Sequence, residues 1–250
     1  MENKPYYMVY EKRKRYKTVY EAGAERWGHS PDDEELYATL KAWVEDNHLK
    51  GTSIVEFACG EGASGVILSK LGCCYTGFDI SPSAVKKAND TLKNFPNARA
   101  NILDMVKQCP AETYDAAVDC MGLHMLVTDG DRQAYLKNAF LSLKNNAPML
   151  FYKEAYRDDE HREQIVKFPV GSYDEWLKIT GNDYVTPFAR KVNTANGELE
   201  VMLPLVPARD NDRSGYMNEL SLGGFTVERF IDMEPSKSIQ HSATIYVRKP

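Results

Sequence analysis

The stretch Glu56–Gly65, "EFACGEGASG", decides how this chain is read. From Gly60 onward, G-E-G-A-S-G satisfies the G-x-G-x-x-G pattern of a dinucleotide-binding loop. From Glu56 onward, an acid leads into a shorter glycine loop, E-F-A-C-G-E-G. The two readings ask for different ligands. A pyrophosphate needs backbone N–H groups, a helix N-terminus and no carboxylate close by. Here Glu56 stands at the end of an apolar run, Glu61 lies between two glycines, and no Lys or Arg occurs from Gly51 to Ser69. Each carboxylate near a pyrophosphate opposes binding by roughly 1–4 kcal/mol. The dinucleotide pattern also places its first glycine directly at the strand end, where this chain has Ala58 and Cys59.

Around the loop the periodicity predicts an α/β fold. "SIVEFAC" (53–59) reads as a buried strand, "SGVILSKLG" as a helix, and "CCYTGFDI" (73–80) as a second strand. "SPSAVKKANDTLKNF" reads as a helix capped by Ser81 with Pro82 at its first position. Further strands are expected at 98–103, 113–121 and 147–155, with the helix "DRQAYLKNAFLSLK" between the last two. Alternation of this kind gives a Rossmann-like, doubly wound, mostly parallel sheet of about seven strands. Its last two strands, "FTVERFIDM" and "HSATIYVRKP", finish it in antiparallel fashion. Ligands of such sheets bind beyond the carboxyl ends of the strands. Glu56, Asp79, Asp104 and Asp119 are expected at four successive strand ends.

Residues 1–50 read as a helical N-terminal segment. Within it "PDDEELYATLKAWVEDNHL" has Leu36, Leu40, Trp43 and Val44 at helical spacing, and Gly51 is expected to stop it. Residues 51–155 and 207–250 form the Rossmann-like domain. Residues 156–206, with a short helix "YDEWLKI" and a hairpin turning at Asn196-Gly197, form an α+β insertion after the fifth strand, of the length expected of a substrate lid. The aromatic N-terminal residues Tyr6, Tyr7, Tyr10, Tyr16, Tyr20 and Trp27 leave two readings open, a helix packed on the sheet or a lid over the site. The run "EKRKRYK" (11–17) reads as a solvated helix face.

At 250 residues with 43% hydrophobic and 27% charged content, the chain is long enough for one large domain with an extra lobe, or for two small ones. No apolar run reaches the ~18 residues of a membrane span, and the N-terminus lacks the apolar stretch of a secretory signal. A net charge of −5 argues against a dedicated nucleic-acid binder. Five cysteines without C-x-x-C spacing read as reduced thiols of a cytoplasmic protein. Five histidines without an H-x-x-x-H pair give no expectation of a protein metal site.

S-adenosylmethionine inverts the demands of a pyrophosphate, since it has no phosphate and carries a sulfonium and an ammonium. An acid at the first strand end suits the ammonium or orders the loop that does. Asp79 suits the two ribose hydroxyls, and Asp104 the adenine amino group. The residues quoted resemble the class I S-adenosylmethionine-dependent methyltransferases across about 53–155. "IVEFACGEG" looks like their V-L-D-x-G-C-G-x-G loop, "GFDIS" like their second motif and "ILDM" like their third. Within the family, "DCMGLH" followed by D-R-x-x-Y-L, with Trp27-Gly28 ahead of the first strand, looks most like small-molecule enzymes of the thiopurine and thiol type. Three departures mark this chain: Glu56 for aspartate, Ala58 for the first loop glycine, and "LKNNAP" for an L-K-P-G-G turn.

The resemblance implies a cofactor site of Trp27, Glu56, Ala58, Cys59, Gly60, Gly62, Asp79, Ile80, Leu103, Asp104, Met105 and Asp119, with S-adenosylhomocysteine as product. Methyl transfer is an in-line displacement in which alignment and exclusion of water do most of the work. A base is needed only where the acceptor must lose a proton. His124, after the fourth strand, and Glu154 and Tyr156, at and beyond the end of the fifth, are the catalytic or substrate-contacting candidates, with Lys153 and Arg157 beside them. The first expectation is a small-molecule methyltransferase, monomeric or homodimeric, with neither nucleic-acid nor membrane partners. A methyltransferase acting on RNA or protein, a nucleotide-dependent oxidoreductase and a non-catalytic cofactor-binding protein stand as alternatives.

Overall fold

The computed structural model describes residues 5–8, 11, 15–24, 26–166, 169–194, 196–235 and 241–250. Tyr10 and residues 12–14 of the basic run lie outside them. Helices α1 (Arg15–Glu21) and α2 (Glu34–Asp46) precede β1 (Ser53–Phe57), α3 (Ala63–Lys70), β2 (Cys74–Asp79), α4 (Pro82–Leu92) and β3 (Ala98–Ile102). Then come β4 (Ala116–Cys120), α5 (Asp129–Leu141), β5 (Pro148–Ala155), α6 (Tyr173–Thr180), β6 (Pro187–Thr194), β7 (Gly197–Pro204), α7 (Arg213–Leu222), β8 (Thr226–Met233) and β9 (Ser242–Arg248).

Seven strands form one sheet in the order β3-β2-β1-β4-β5-β9-β8. The pairs β1–β2, β1–β4, β2–β3 and β4–β5 are parallel, and β9 runs antiparallel between β5 and β8. This is the expected doubly wound sheet with an antiparallel finish. The strand order reverses between β1 and β4, which fixes the ligand crevice at their carboxyl ends. Side-chain alternation sends Val55, Phe57, Ala117, Met149 and Phe151 to one face, where residues of α5 and α7 cover them. Ile54, Val118, Leu150 and Tyr152 go to the other, under α2, α3 and α4. Burial on both faces explains why the strands read as continuous apolar runs.

Local signals set the helix starts. The Ser81 hydroxyl accepts from Ala84 N, with Pro82 at the first helical position. Asp33 caps α2 by accepting from Glu35 N and Leu36 N. Among its described residues the N-terminal segment includes α1 and α2, and α2 stops at Asp46 instead of running to Gly51. Asn47 caps its end, donating back to Trp43 O, and His48 takes a φ of +54°, so the helix closes before the glycine is reached.

The hairpin β6–β7 stands apart from the main sheet, turning at Gly197 with a φ of +109°. It packs on α1 through a small cluster of Val19, Ala24, Val192, Val201 and Leu203, and Ala24 bridges Thr194. Among the described residues no helix is long and apolar enough to cross a membrane.

Candidate cofactor and acceptor site

The loop leaving β1 is built from left-handed residues: Ala58 at φ +52°, Gly60 at +50° and Gly62 at +80°. Glycine takes this region freely, whereas an L side chain is strained there. Ala58 keeps the backbone conformation that the expected glycine would have. Gly122 makes room for it, since a Cβ on Gly122 would lie 2.8 Å from that of Ala58. Cys59 is buried, donates its N–H to Phe78 O at 3.0 Å, and burial raises its thiol well above the ordinary range.

The four strand-end acids divide into two pairs. Glu56 is 1% exposed and Asp119 fully buried, so both lie beneath the loop surface. The Tyr75 hydroxyl donates to Glu56, and burial pushes the Glu56 carboxyl up to about 7. Asp119 accepts from the Tyr135 hydroxyl and, at 2.6 Å, from Gly122 N, which pins the turn after β4. Burial and the nearby Glu154 hold the Asp119 carboxyl well above the carboxylate range. Asp79 and Asp104 are partly exposed at their strand ends. Asp79 accepts from Gly60 N at 2.9 Å and Ser81 N at 2.8 Å, tying the glycine loop to the start of α4. Its carboxyl is raised by burial. Ile80 and Leu103 flank these acids half-buried, and Met105 is buried beneath Asp104.

The N-terminal segment runs across these strand ends. The Tyr6 hydroxyl accepts from Val127 N at 2.9 Å, and its ring stacks on Tyr173 of α6 at 4.6 Å. The Tyr7 hydroxyl donates to Asp104 at 3.1 Å. Glu11 accepts from the Ser81 hydroxyl and from Ser83 N at 2.9 Å. Glu61, 4% exposed, accepts from the Tyr20 hydroxyl, from Trp27 N and from Gly28 N, the last two at 2.9 Å. The Trp27 ring carries Arg15 over it at 4.7 Å. Glu61 and Glu11 are the residues that sequence reasoning misses as part of the site, while Tyr7 is where the lid reading of the aromatic segment puts it. The signal of the two acids is faint: in sequence Glu61 reads only as a charge unfavourable to phosphate.

On the far side of the β1–β4 switch lies a second constellation. β5 contains a bulge between Phe151 and Glu154, with Lys153 at φ +53°. The extra residue reverses the alternation. Lys153 therefore turns toward α2 and pairs with Glu35, while Glu154 turns to the opposite face, beneath the turn after β4. There Glu154 accepts from His124 N at 2.8 Å and pairs with His124 Nδ1 at 2.9 Å. His124 sits on a 3-10 turn, Leu123–Met125, that Arg132 holds from below by donating to Leu123 O and Leu126 O. Arg132 is itself clamped by both oxygens of Glu219, at 2.6 and 2.7 Å. No described residue hydrogen-bonds His124 Nε2. One Glu154 oxygen, Oε1, is buried without a partner among the described residues. Tyr156 packs its ring on Phe230 at 5.3 Å and belongs to the core, whereas Arg157 pairs with Asp210 at 2.8 Å. His124 and Glu154 are thus brought together, and no hydrogen bond joins Tyr156 to either of them among the described residues.

Comparison with known proteins bears on the fold and the domain. Residues 54–146 match the family described as a methyltransferase domain. Over 143 residues the chain is 24% identical to the ribosomal protein L11 methyltransferase of Yersinia pseudotuberculosis, a match covering 56% of this chain and 48% of that protein. The chain thus spans about half the length of the curated relatives it matches. Among solved structures, the 1,6-didemethyltoxoflavin-N1-methyltransferase of Burkholderia thailandensis aligns at a TM-score of 0.64 and 13% identity, covering 98% of this chain and 90% of that one. An S-adenosylmethionine-dependent methyltransferase of Clostridium acetobutylicum aligns at 0.62 and 13% identity, covering 95% and 97%. The chain has the Rossmann-like fold of S-adenosylmethionine-dependent methyltransferases, and residues 54–146 carry its methyltransferase-domain signature.

Proposed function

We propose that the protein transfers a methyl group from S-adenosylmethionine to a small-molecule nucleophile. The observation that carries this reading is the loop after β1, where left-handed Ala58, Gly60 and Gly62 stand among carboxylates in a stretch, Gly51 to Ser69, without Lys or Arg. Such a loop fits a cationic donor without phosphates. Asp79 and Asp104 would hold the ribose and adenine. Their present partners, Gly60 N, Ser81 N and the Tyr7 hydroxyl, show that both carboxylates accept hydrogen bonds at the strand ends. The donor supplies an electrophilic methyl carbon on a sulfonium.

The chain's own groups do the rest. Glu154 fixes His124 with its Nδ1 proton facing the carboxylate, which leaves Nε2 as the acceptor nitrogen. His124 Nε2 takes the proton that a hydroxyl, thiol or ammonium acceptor releases, and Glu154 stabilises the resulting imidazolium. The N-terminal segment and the β6–β7 hairpin act as one lid that excludes water from the transfer. A site covered in this way would favour a small acceptor.

A protein acceptor is the second reading, favoured by the match to ribosomal protein L11 methyltransferases. One experiment separates the readings. Donor is supplied with a panel of thiols, amines, phenols and carboxylic acids, or with ribosomal protein L11, and S-adenosylhomocysteine release is scored. Turnover on the protein alone would overturn the small-molecule assignment. Calorimetry with S-adenosylhomocysteine and NAD in parallel tests the cofactor: binding of NAD alone would sink the central reading. Asp79→Ala should weaken S-adenosylhomocysteine by more than about tenfold, and an unchanged affinity would remove Asp79 from the site.

A further inference from the structure

Beyond the end of β5 the fold brings two neighbouring metal-ligand side chains to a third that is far away in sequence. Asp158 and His161 open the insertion, and His241 directly precedes β9. One ligand-capable atom of each lies within 4.8 Å of those of the other two, and all three residues are half-buried. The two imidazole rings are 4.6 Å apart between centres. The cluster is held in place by the backbone. Asp158 Oδ1 accepts from Glu160 N and His161 N, each at 3.1 Å, and from His161 Nδ1 at 2.6 Å. Tyr156 N donates to His241 O at 3.3 Å, so the strand end that leads into Asp158 also fixes the backbone of His241.

We propose that Asp158, His161 and His241 bind a divalent transition-metal ion, with Zn²⁺ the best match. Two imidazoles and one carboxylate are a ligand set that zinc favours, at bond lengths of about 2.0–2.2 Å. The three donor atoms already lie within 4.8 Å of one another. An ion there would be held by unprotonated imidazole nitrogens and the Asp158 carboxylate, so its binding weakens as pH falls. Three protein ligands leave a fourth position open to water or to an oxygen, nitrogen or sulfur donor.

The position of this open site gives it a role. Arg157, next to Asp158 in the chain, pairs with Asp210 at 2.8 Å, and Arg209 N in the same loop donates to His124 O at 2.8 Å. That loop therefore joins the metal cluster to the turn that carries His124. The ion also ties the start of the insertion to the start of β9. The metal site rests on its own three residues and not on the methyl-transfer reading.

The test uses the whole chain, stripped with a chelator and titrated with Zn²⁺ by calorimetry and with Co²⁺ by visible absorption, without cofactor or acceptor. The expected result is one ion per chain and a Co²⁺ spectrum lacking sulfur charge-transfer bands. His161→Ala and His241→Ala should each weaken Zn²⁺ by roughly tenfold or more. Asp158→Asn, which keeps the acceptor for the turn and loses the charge, should weaken it too, and far-UV melting confirms that each variant is folded. His48→Ala, at an exposed position before β1, should bind as the parent does. Exposed Cys74 and Cys109 are the competing ligands, so Cys74→Ser/Cys109→Ser must keep the stoichiometric site. Absence of stoichiometric zinc, retention of full affinity in both histidine variants, or loss of the site in the cysteine variant would each overturn the proposal. None of these outcomes bears on S-adenosylhomocysteine binding, so the two readings fail separately.

Discussion

In the sheet, β1, β4 and β5 bury apolar side chains on both faces, and Ile54, Val55, Phe57, Ala117, Val118 and Leu150 are fully removed from solvent. The layer that crosses the strand ends is built differently. Its apolar cluster, Val19, Ala24, Val192, Val201 and Leu203, is small and internal, and joins α1 to the β6–β7 hairpin rather than to the sheet. Beyond the rings of Tyr7, packed on the sheet core, and Tyr6, packed beside Val127, the layer reaches the strand ends through polar tethers: Glu61 to Trp27 and Gly28, Glu11 to Ser81 and Ser83, Tyr7 to Asp104 and Tyr6 to Val127. Apolar burial contributes about 25 cal/mol per Å² and is lost only on unfolding. A tether contributes about 0.5–1.5 kcal/mol and can be broken alone. Contacts of this kind can break singly while the core stays intact, so the covering layer is expected to open at a lower free energy than the sheet.

The largest effect should come from the core's side of the site. His124→Ala removes the nitrogen that Glu154 orients while leaving Glu154, Arg132 and the turn after β4 in place. Turnover should fall by about 10²–10⁴-fold with S-adenosylhomocysteine affinity kept. Single-turnover kinetics beside calorimetry checks this, and unchanged turnover would reject His124 as the base.

The buried acids supply the next effect, through pH. Burial lifts the Glu56 carboxyl from 4.5 to about 7. A carboxyl whose pKa is higher folded than unfolded holds its proton more tightly in the native state. Stability is then greatest below the unfolded pKa, falls as pH rises toward about 7, and stays low above it. Glu56→Gln keeps the shape and removes the titration. The variant should gain on the parent by roughly 3 kcal/mol between pH 4.5 and pH 8, read from urea midpoints. Parallel pH profiles would show that Glu56 stays ionised in the native state.

The covering layer should respond to Glu61→Gln, which weakens three hydrogen bonds to one carboxylate. Protease cleavage ahead of β1 should speed up by about tenfold, equivalent to ~1.4 kcal/mol of local opening, with the melting midpoint moving by only a few degrees. A variant that melts much earlier without faster local cleavage would mean that core and covering layer unfold as one unit.

Legibility in the sequence follows the same division. The sheet was readable because each strand is a short apolar run between glycines and capped helices, and the Ser81-Pro82 start of α4 was found to the residue. Asp79 and Asp104 were placed at their strand ends by the same pattern. Sequence alone did not show that Glu56 and Asp119 lie beneath the surface, because their tyrosine partners, Tyr75 and Tyr135, come from other elements. The pairing of Glu154 with His124 depends on a bulge that shifts β5 by one residue, and bulges leave no mark in alternation. The Asp158–His161–His241 cluster escaped for the same reason: spacing rules see ligands on one element, and these converge from two strand ends.

The smallest effect concerns the residue on which the opening loop departs from its expected pattern. Ala58 holds a φ of +52°, which costs an L residue roughly 1–2 kcal/mol against glycine. Glycine in turn loses more freedom on folding, by about 0.5–1 kcal/mol, so the two terms largely oppose each other. Ala58→Gly should therefore stabilise by no more than about 1 kcal/mol. The informative variant is its neighbour. A Cβ on Gly122 would meet Asp119 Oδ1 at 2.5 Å and Ala58 Cβ at 2.8 Å, so Gly122→Ala should destabilise clearly by overpacking. Combining the two changes removes one of these clashes and leaves the other. The double variant should then recover part of the loss, and the non-additive part, read from urea midpoints, measures the contact between loop and turn. Strict additivity would mean that Asp119 alone sets the space at Gly122, and that the alanine in the loop is tolerated without help from across the switch point.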